Sequence, residues 1–223
     1  INDQVFAHGG LSSSVKNKNL DKFNIELKKS LFEYLNSWQK IANTYQPELS
    51  LSYHQRPGFV ESLEESEEKA LFLNARKQLL FASDGPTWYR GNALCHPYFE
   101  SDSLAGVLKK WRAKRLWVGH TTTPNRNVLH RLDGQLILID TGMLNSHYKG
   151  TPYVGLIDPK GKTRFINGLT KEEVIPAQAV YREDVNPYGM SDEQLEDFML
   201  TAKVIDKQEI AEGKTNPYKI TLE

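Results

Sequence analysis

The sequence predicts an α/β fold. Three short apolar runs, Val5–Ala7, Leu116–Val118 and Leu136–Ile139, have the length and composition of buried strands. Between the first two, apolar residues recur at helical spacing over long stretches. Each run also ends in a polar, turn-forming cluster: His8-Gly9-Gly10, Gly119-His120-Thr121 and Asp140-Thr141-Gly142. In open α/β sheets, ligands bind beyond the carboxyl ends of the strands. Chemistry is therefore expected at these clusters.

The elements follow in order. Asn19 is placed to cap a helix carrying Leu20, Phe23, Leu27, Leu31, Leu35, Trp38 and Ala42 at i, i+3, i+4 intervals. Residues 46–61, with Pro47, Pro57 and Gly58, read as a loop. Ser62 and Glu65 form a capping box that predicts a helix to about Leu80. Asp84-Gly85-Pro86 breaks it, and Trp88-Tyr89-Arg90-Gly91 falls in a loop. Residues 92–100 read as irregular, and Ser101 or Asp102 caps a helix with Leu104, Val107, Leu108 and Trp111 on one face. Its basic end, from Lys109 to Arg115, reads as a solvated helix terminus favoured by the dipole. Arg131-Leu132-Asp133-Gly134 is the turn before Leu136–Ile139. Beyond it, Tyr153–Ile157 and Thr163–Ile166 flank a tight turn and predict an antiparallel hairpin. Residues 176–190 read as extended, Ser191 with Gln194 as the cap of another helix, and 203–223 as strand, turn, strand.

Composition narrows the function. The 223 residues carry 28 basic and 28 acidic side chains, a formal net charge of zero, which argues against nucleic acid or an anionic membrane as the main partner. Cys95 is the only cysteine, so neither an intrachain disulfide nor a cysteine-based metal site is available, and the compartment stays open. No apolar run approaches the roughly 20 residues that span a bilayer. The chain opens at Ile1, close to a core strand, and stops at Glu223 directly after a strand-like run, so it reads as part of a longer protein.

His8 and His120 each follow a strand and stand beside glycine, which lets backbone approach a ligand closely. Alone, each also fits an incidental histidine in a tight turn. Together they fit imidazole ligands to zinc, iron or a related divalent metal, although a catalytic metal usually takes three or more protein ligands. Asp140 is either a ligand or the cap of its turn. Arg90, set among aromatics, is a candidate phosphate grip through its planar guanidinium. Arg131 is a candidate supporting residue. Several motifs fail: the glycines before Lys162 have the wrong spacing for a phosphate-binding loop, and no G-x-S-x-G or H-E-x-x-H occurs.

Four segments in order, Val5-Phe6-Ala7-His8-Gly9-Gly10-Leu11, Asp84-Gly85-Pro86-Thr87-Trp88-Tyr89-Arg90-Gly91, Val118-Gly119-His120-Thr121 and Ile139-Asp140-Thr141-Gly142-Met143, resemble the second half of calcineurin-like metallophosphoesterases, bacterial-type members near the phosphoprotein phosphatases. The resemblance covers roughly residues 1–157. It implies part of a four-layer α/β sandwich, with the N-terminal half absent and a mostly helical insertion at about 19–83. The phosphatase half would span 1–170, and 171–223 would be a junction to a further domain.

It implies a phosphomonoesterase, with phosphoprotein among its candidate substrates, and two divalent metals: manganese, iron or zinc. His8 and His120 match the histidines of one metal, Arg90 a phosphate contact, and Asp140 with Gly142 the strand-end motif that supports the site; Gly9, Gly119 and Arg131 are further supporting candidates. The family's Asp-x-His, Gly-Asp-x-x-Asp-Arg and Gly-Asn-His motifs are not in the sequence. On this reading the partners are a phosphorylated substrate and the other half of the same domain, and the fragment alone is inactive. A non-catalytic phosphatase-like binding or scaffold module is the alternative.

Overall fold

The computed structural model describes residues 2–47 and 51–179, which lie in the first of two compact units, Ile1–Ala179. The helix and strands expected after residue 190 lie outside the described residues. Strand β1 (Gln4–Ala7) opens the chain, followed by a single 3-10 turn at Ser13–Val15. Three helices come next: α1 (Leu20–Tyr45), α2 (Arg56–Glu61) and α3 (Glu67–Arg76). Helices α4 (Gly91–Leu94) and α5 (Pro97–Lys110) lead into strand β2 (Arg115–Val118). Strands β3 (Leu129–Arg131) and β4 (Leu136–Leu138) and helix α6 (Asn145–Tyr148) follow. Strands β5 (Tyr153–Ile157), β6 (Thr163–Asn167), β7 (Glu173–Val174) and β8 (Ala177–Gln178) complete the series. No helix among the described residues is long and apolar enough to cross a membrane.

The larger sheet has the order β1-β2-β4-β3-β8. β1, β2 and β4 run parallel, and β3 is antiparallel to β4. Register aligns Ala7 with Val118 and Val118 with Leu138, so the three parallel strands end on one line. The near-continuous apolar sequences of β2 and β4 suit strands covered on both faces. On one face Val5, Leu116, Val118, Leu136 and Leu138 pack with Leu104, Val107 and Leu108 of α5. On the other, Trp117 and Ile137 pack with Phe165 of the smaller sheet, β5-β6-β7. Helix, sheet and sheet are thus three layers among the described residues. Each large apolar side chain buried here is worth about 1.5–3 kcal/mol.

The helical insertion is present, with differences from its expected detail. Asn19 caps α1, its side chain accepting from Lys22 N–H at 3.1 Å. The buried face of α1, however, holds Phe23, Ser30, Tyr34, Ser37 and Ile41, while Leu31 and Leu35 are exposed. The two serines can be buried because their hydroxyls donate to the carbonyls of Glu26 and Tyr34 within the helix. Tyr34, Ile41, Phe72 and Ala75 then form a separate core with α3.

Part of the stretch expected as loop is α2, because Pro57 falls in its first turn, where the missing N–H costs nothing. Ser62 closes α2, and Ser66 caps α3 in place of the expected Ser62–Glu65 box. Likewise α5 starts four residues or more before the expected Ser101 or Asp102 cap. Pro97 opens it, and the His96 ring accepts from Tyr98 N–H at 3.1 Å.

Candidate functional site

The flush ends of β1 and β2 deliver His8 and His120 side by side. Gly119 N–H donates to the His8 carbonyl at 3.0 Å, continuing the strand pairing by one step. The next residue, His120, adopts a left-handed φ of +59°, within a three-residue turn closed by Thr121 N–H on the Gly119 carbonyl at 2.6 Å. Such a conformation costs a non-glycine residue on the order of 1–3 kcal/mol. It turns the imidazole toward its neighbour: His8 Nε2 and His120 Nδ1 are 3.1 Å apart, with ring centroids at 4.7 Å. The Trp88 ring meets His120 edge-on at 5.1 Å. His8 is exposed and His120 half-buried.

Arg90 arrives through the glycines after His8. The Pro86 carbonyl accepts from both Gly9 N–H, at 2.8 Å, and Gly10 N–H, at 3.3 Å. A Cβ at Gly9 would lie 2.8 Å from the Thr87 carbonyl oxygen and 2.9 Å from that of Tyr89. Glycine there allows the 86–89 segment to lie directly on the turn. Arg90 Nη1 then donates to the His120 carbonyl at 2.8 Å and Thr121 Oγ1 at 3.1 Å. Its side chain is otherwise exposed, and no ion pair among the described residues includes it.

The electrostatics favour neutral imidazole at position 120. Burial, first, and then the nearby Arg90 and His8 push the His120 pKa below its ordinary value, against an opposing pull from Asp140. Its Nε2 is buried with no hydrogen-bond partner among the described residues. The two facing nitrogens lie within the reach of one ion, since two bonds of roughly 2.0–2.1 Å can span up to about 4 Å. Among the described residues, no group of three or more His, Cys, Asp or Glu could hold a metal. The pair therefore fits part of a metal site and not all of one.

The remaining expected residues divide. Asp140 acts as a cap: its Oδ1 accepts from Gly142 N–H at 3.0 Å, and its carbonyl accepts from Thr123 N–H at 2.8 Å. A Cβ at Gly119 would meet nothing nearer than the His8 carbonyl oxygen, at 3.6 Å, so packing does not demand glycine there. Arg131 is buried and directed under α4, where it donates to the carbonyls of Asn92 and Cys95, both at 2.7 Å.

Sequence reasoning passed over Asn92 and Glu100 and took Tyr89 only as an aromatic neighbour of Arg90. Tyr89 Oη donates to Glu100 Oε1 at 2.6 Å, and Asn92 Nδ2 donates to Glu100 Oε2 at 2.7 Å. Burial raises the Glu100 pKa, while bonds from Tyr89 and Asn92 and the charge of Arg131 oppose the rise. The glycine and arginine around Asn92 gave no sign of these bonds.

No family model matches the chain. It is 24% identical over 156 residues to Shewanella-like protein phosphatase 1 of Plasmodium berghei (strain Anka), a match covering 69% of this chain and 34% of that protein. A crystal structure of a cold-active protein-tyrosine phosphatase of a psychrophile Shewanella species aligns over 77% of this chain and 40% of that one, with 21% identity and a TM-score of 0.44. Another structure of a cold-active protein tyrosine phosphatase aligns over 77% and 39%, with 22% identity and a TM-score of 0.44. The chain spans about a third of the length of the curated relative it matches. In its four ordered motifs and over 69% of its length, the chain is similar to the Shewanella-like protein phosphatases, members of the calcineurin-like metallophosphoesterase superfamily.

Proposed function

We propose that this chain carries the histidine and arginine wall of a metal-dependent phosphoesterase that hydrolyses phosphomonoesters, phosphoprotein included, at a dinuclear centre. The observation that carries the reading is the His8–His120 pair, 3.1 Å apart at the ends of adjacent parallel strands. The similarity to a protein named as a phosphatase supports it. His8 and His120 would hold one ion of manganese, iron or zinc, and the carboxylate ligands would come from outside the described residues. Such a pair of metals supplies Lewis acidity and a water acidified toward neutral pH.

This chain's own residues do the rest of the work on this side. Burial and the Arg90 charge keep the His120 lone pair available at neutral pH. Arg90, fixed by two bonds from one nitrogen, offers its other N–H groups to the non-bridging oxygens of a phosphate, where charge-assisted bonds are strongest. Asp140 holds the turn beside His120 without spending its carboxylate on a metal in this arrangement.

The test uses the full-length protein with His8→Ala and His120→Ala, reading metal content by mass spectrometry and hydrolysis of p-nitrophenyl phosphate. Each variant is expected to lose metal and turnover together. Unchanged metal occupancy in both would remove the ligand assignment. Bound phosphopeptide without turnover in the wild type would favour the non-catalytic module.

A further inference from the structure

The contacts beneath the site close into a ring. From His8 the backbone runs through Gly9 and Gly10 to Leu11. Leu11 N–H donates to Asn92 Oδ1 at 2.7 Å, and Asn92 Nδ2 donates back to the Leu11 carbonyl at 3.2 Å. Two residues before Asn92, Arg90 reaches the His120 carbonyl. His120 in turn faces His8. We propose that Asn92 is the positioning residue that holds His8 and Arg90 in register with each other, an inference whose kinetic arm rests on the phosphoesterase reading.

The side chain suits that task and few others would. Asn92 is fully buried. Its carboxamide presents one donor edge and one acceptor edge, matching the carbonyl and N–H of Leu11 as a neighbouring strand would. Its second amide hydrogen goes to Glu100 Oε2 at 2.7 Å. Aspartate, of the same shape, has no donor and would set a carboxylate against the Leu11 carbonyl and Glu100. Gly10 makes room for it, since a Cβ there would lie 2.7 Å from Asn92 Oδ1. Arg131 fixes the other end by donating to the Asn92 carbonyl at 2.7 Å. Removing the amide opens the ring opposite the histidines and leaves the Pro86 carbonyl, which accepts from Gly9 and Gly10 N–H, as the remaining tie between the His8 turn and the Arg90 segment.

A purely structural role predicts loss of stability alone; a positioning role predicts coupling. In the full-length protein with 15N-labelled histidine, Asn92→Asp should shift the ring-nitrogen resonances of both His8 and His120. Leu104→Ala, a core deletion on α5, should leave them in place at matched loss of thermal stability. The turnover number on p-nitrophenyl phosphate should fall about 10²-fold in Asn92→Asp, as misplacement by about 1 Å does. In an Arg90→Ala background the same change should cost far less, because the partner it positions is gone. Unmoved ring nitrogens, or losses that add within the about twofold scatter of independent sites, would overturn the proposal. Absence of turnover in the wild type would count against the phosphoesterase reading, and the resonance arm would then decide the positioning role by itself.

Discussion

Single residues here carry more than their own contacts. His120 accepts backbone strain so that its ring can meet His8, and Arg90 spends one nitrogen holding the strained carbonyl in place. Beneath them Glu100 is a buried carboxyl fed by two donors. Burial raises its pKa above the ordinary 4.5. A raised carboxyl pKa contributes stability that is fully present below the unfolded value and is lost as pH rises through the folded one. Glu100→Gln removes that slope while keeping one acceptor for Asn92 and one donor for Tyr89. Urea unfolding between pH 4 and 7 should therefore show wild type losing stability relative to the variant as pH rises above 4.5. A parallel pair of curves would refute the assignment. Arg131 illustrates a different limit of sequence reading: its arginine was visible beside the predicted turn, but its direction, under α4 and toward two carbonyls, was not.

At the scale of elements, what sequence could read was what local pattern controls. The ends of β1 and β2 were legible because a short apolar run followed by glycine has few other solutions, and His8 and His120 came with them. Strand β3 and the two-residue strands β7 and β8 are too short to carry a period of two. The face of α1 was misread because its leucines outnumber its serines, yet Tyr34 and Ile41 pack with Phe72 and Ala75 and so bury the face that also carries Ser30 and Ser37. Asn92 was invisible because its partner lies 81 positions away. The loop carrying Arg90 rests on glycine, which gives a contrast between two similar substitutions. Gly9→Ala would drive a Cβ into two backbone carbonyls, with an overpacking cost of about 1–3 kcal/mol. Gly119→Ala makes only ordinary contact and should change stability by no more than about 0.5 kcal/mol. Thermal melts of the two variants, run side by side, check the ranking, and equal losses would contradict it.

At the scale of the molecule, the described residues hold distinct cores: one between the sheet and α5, one within the helical insertion, and one under the small sheet. Phe72, fully buried between α1 and α3, belongs to the insertion. Phe72→Ala should cost about 3–5 kcal/mol locally. Hydrogen exchange is expected to rise in α1 and α3 first, with β1, β2 and β4 protected to higher denaturant. Simultaneous loss of protection everywhere would mean the cores are energetically one. The alignment of Ala7, Val118 and Leu138 on a single line has a consequence for the lengths the chain can tolerate. One residue inserted into β1 or β2 would slip the pairing and turn every later side chain of that strand to the opposite face, carrying one histidine away from the other. Helices α1, α2 and α3 take no part in that strand pairing, so whole turns could be added or deleted in them without changing which way either histidine points.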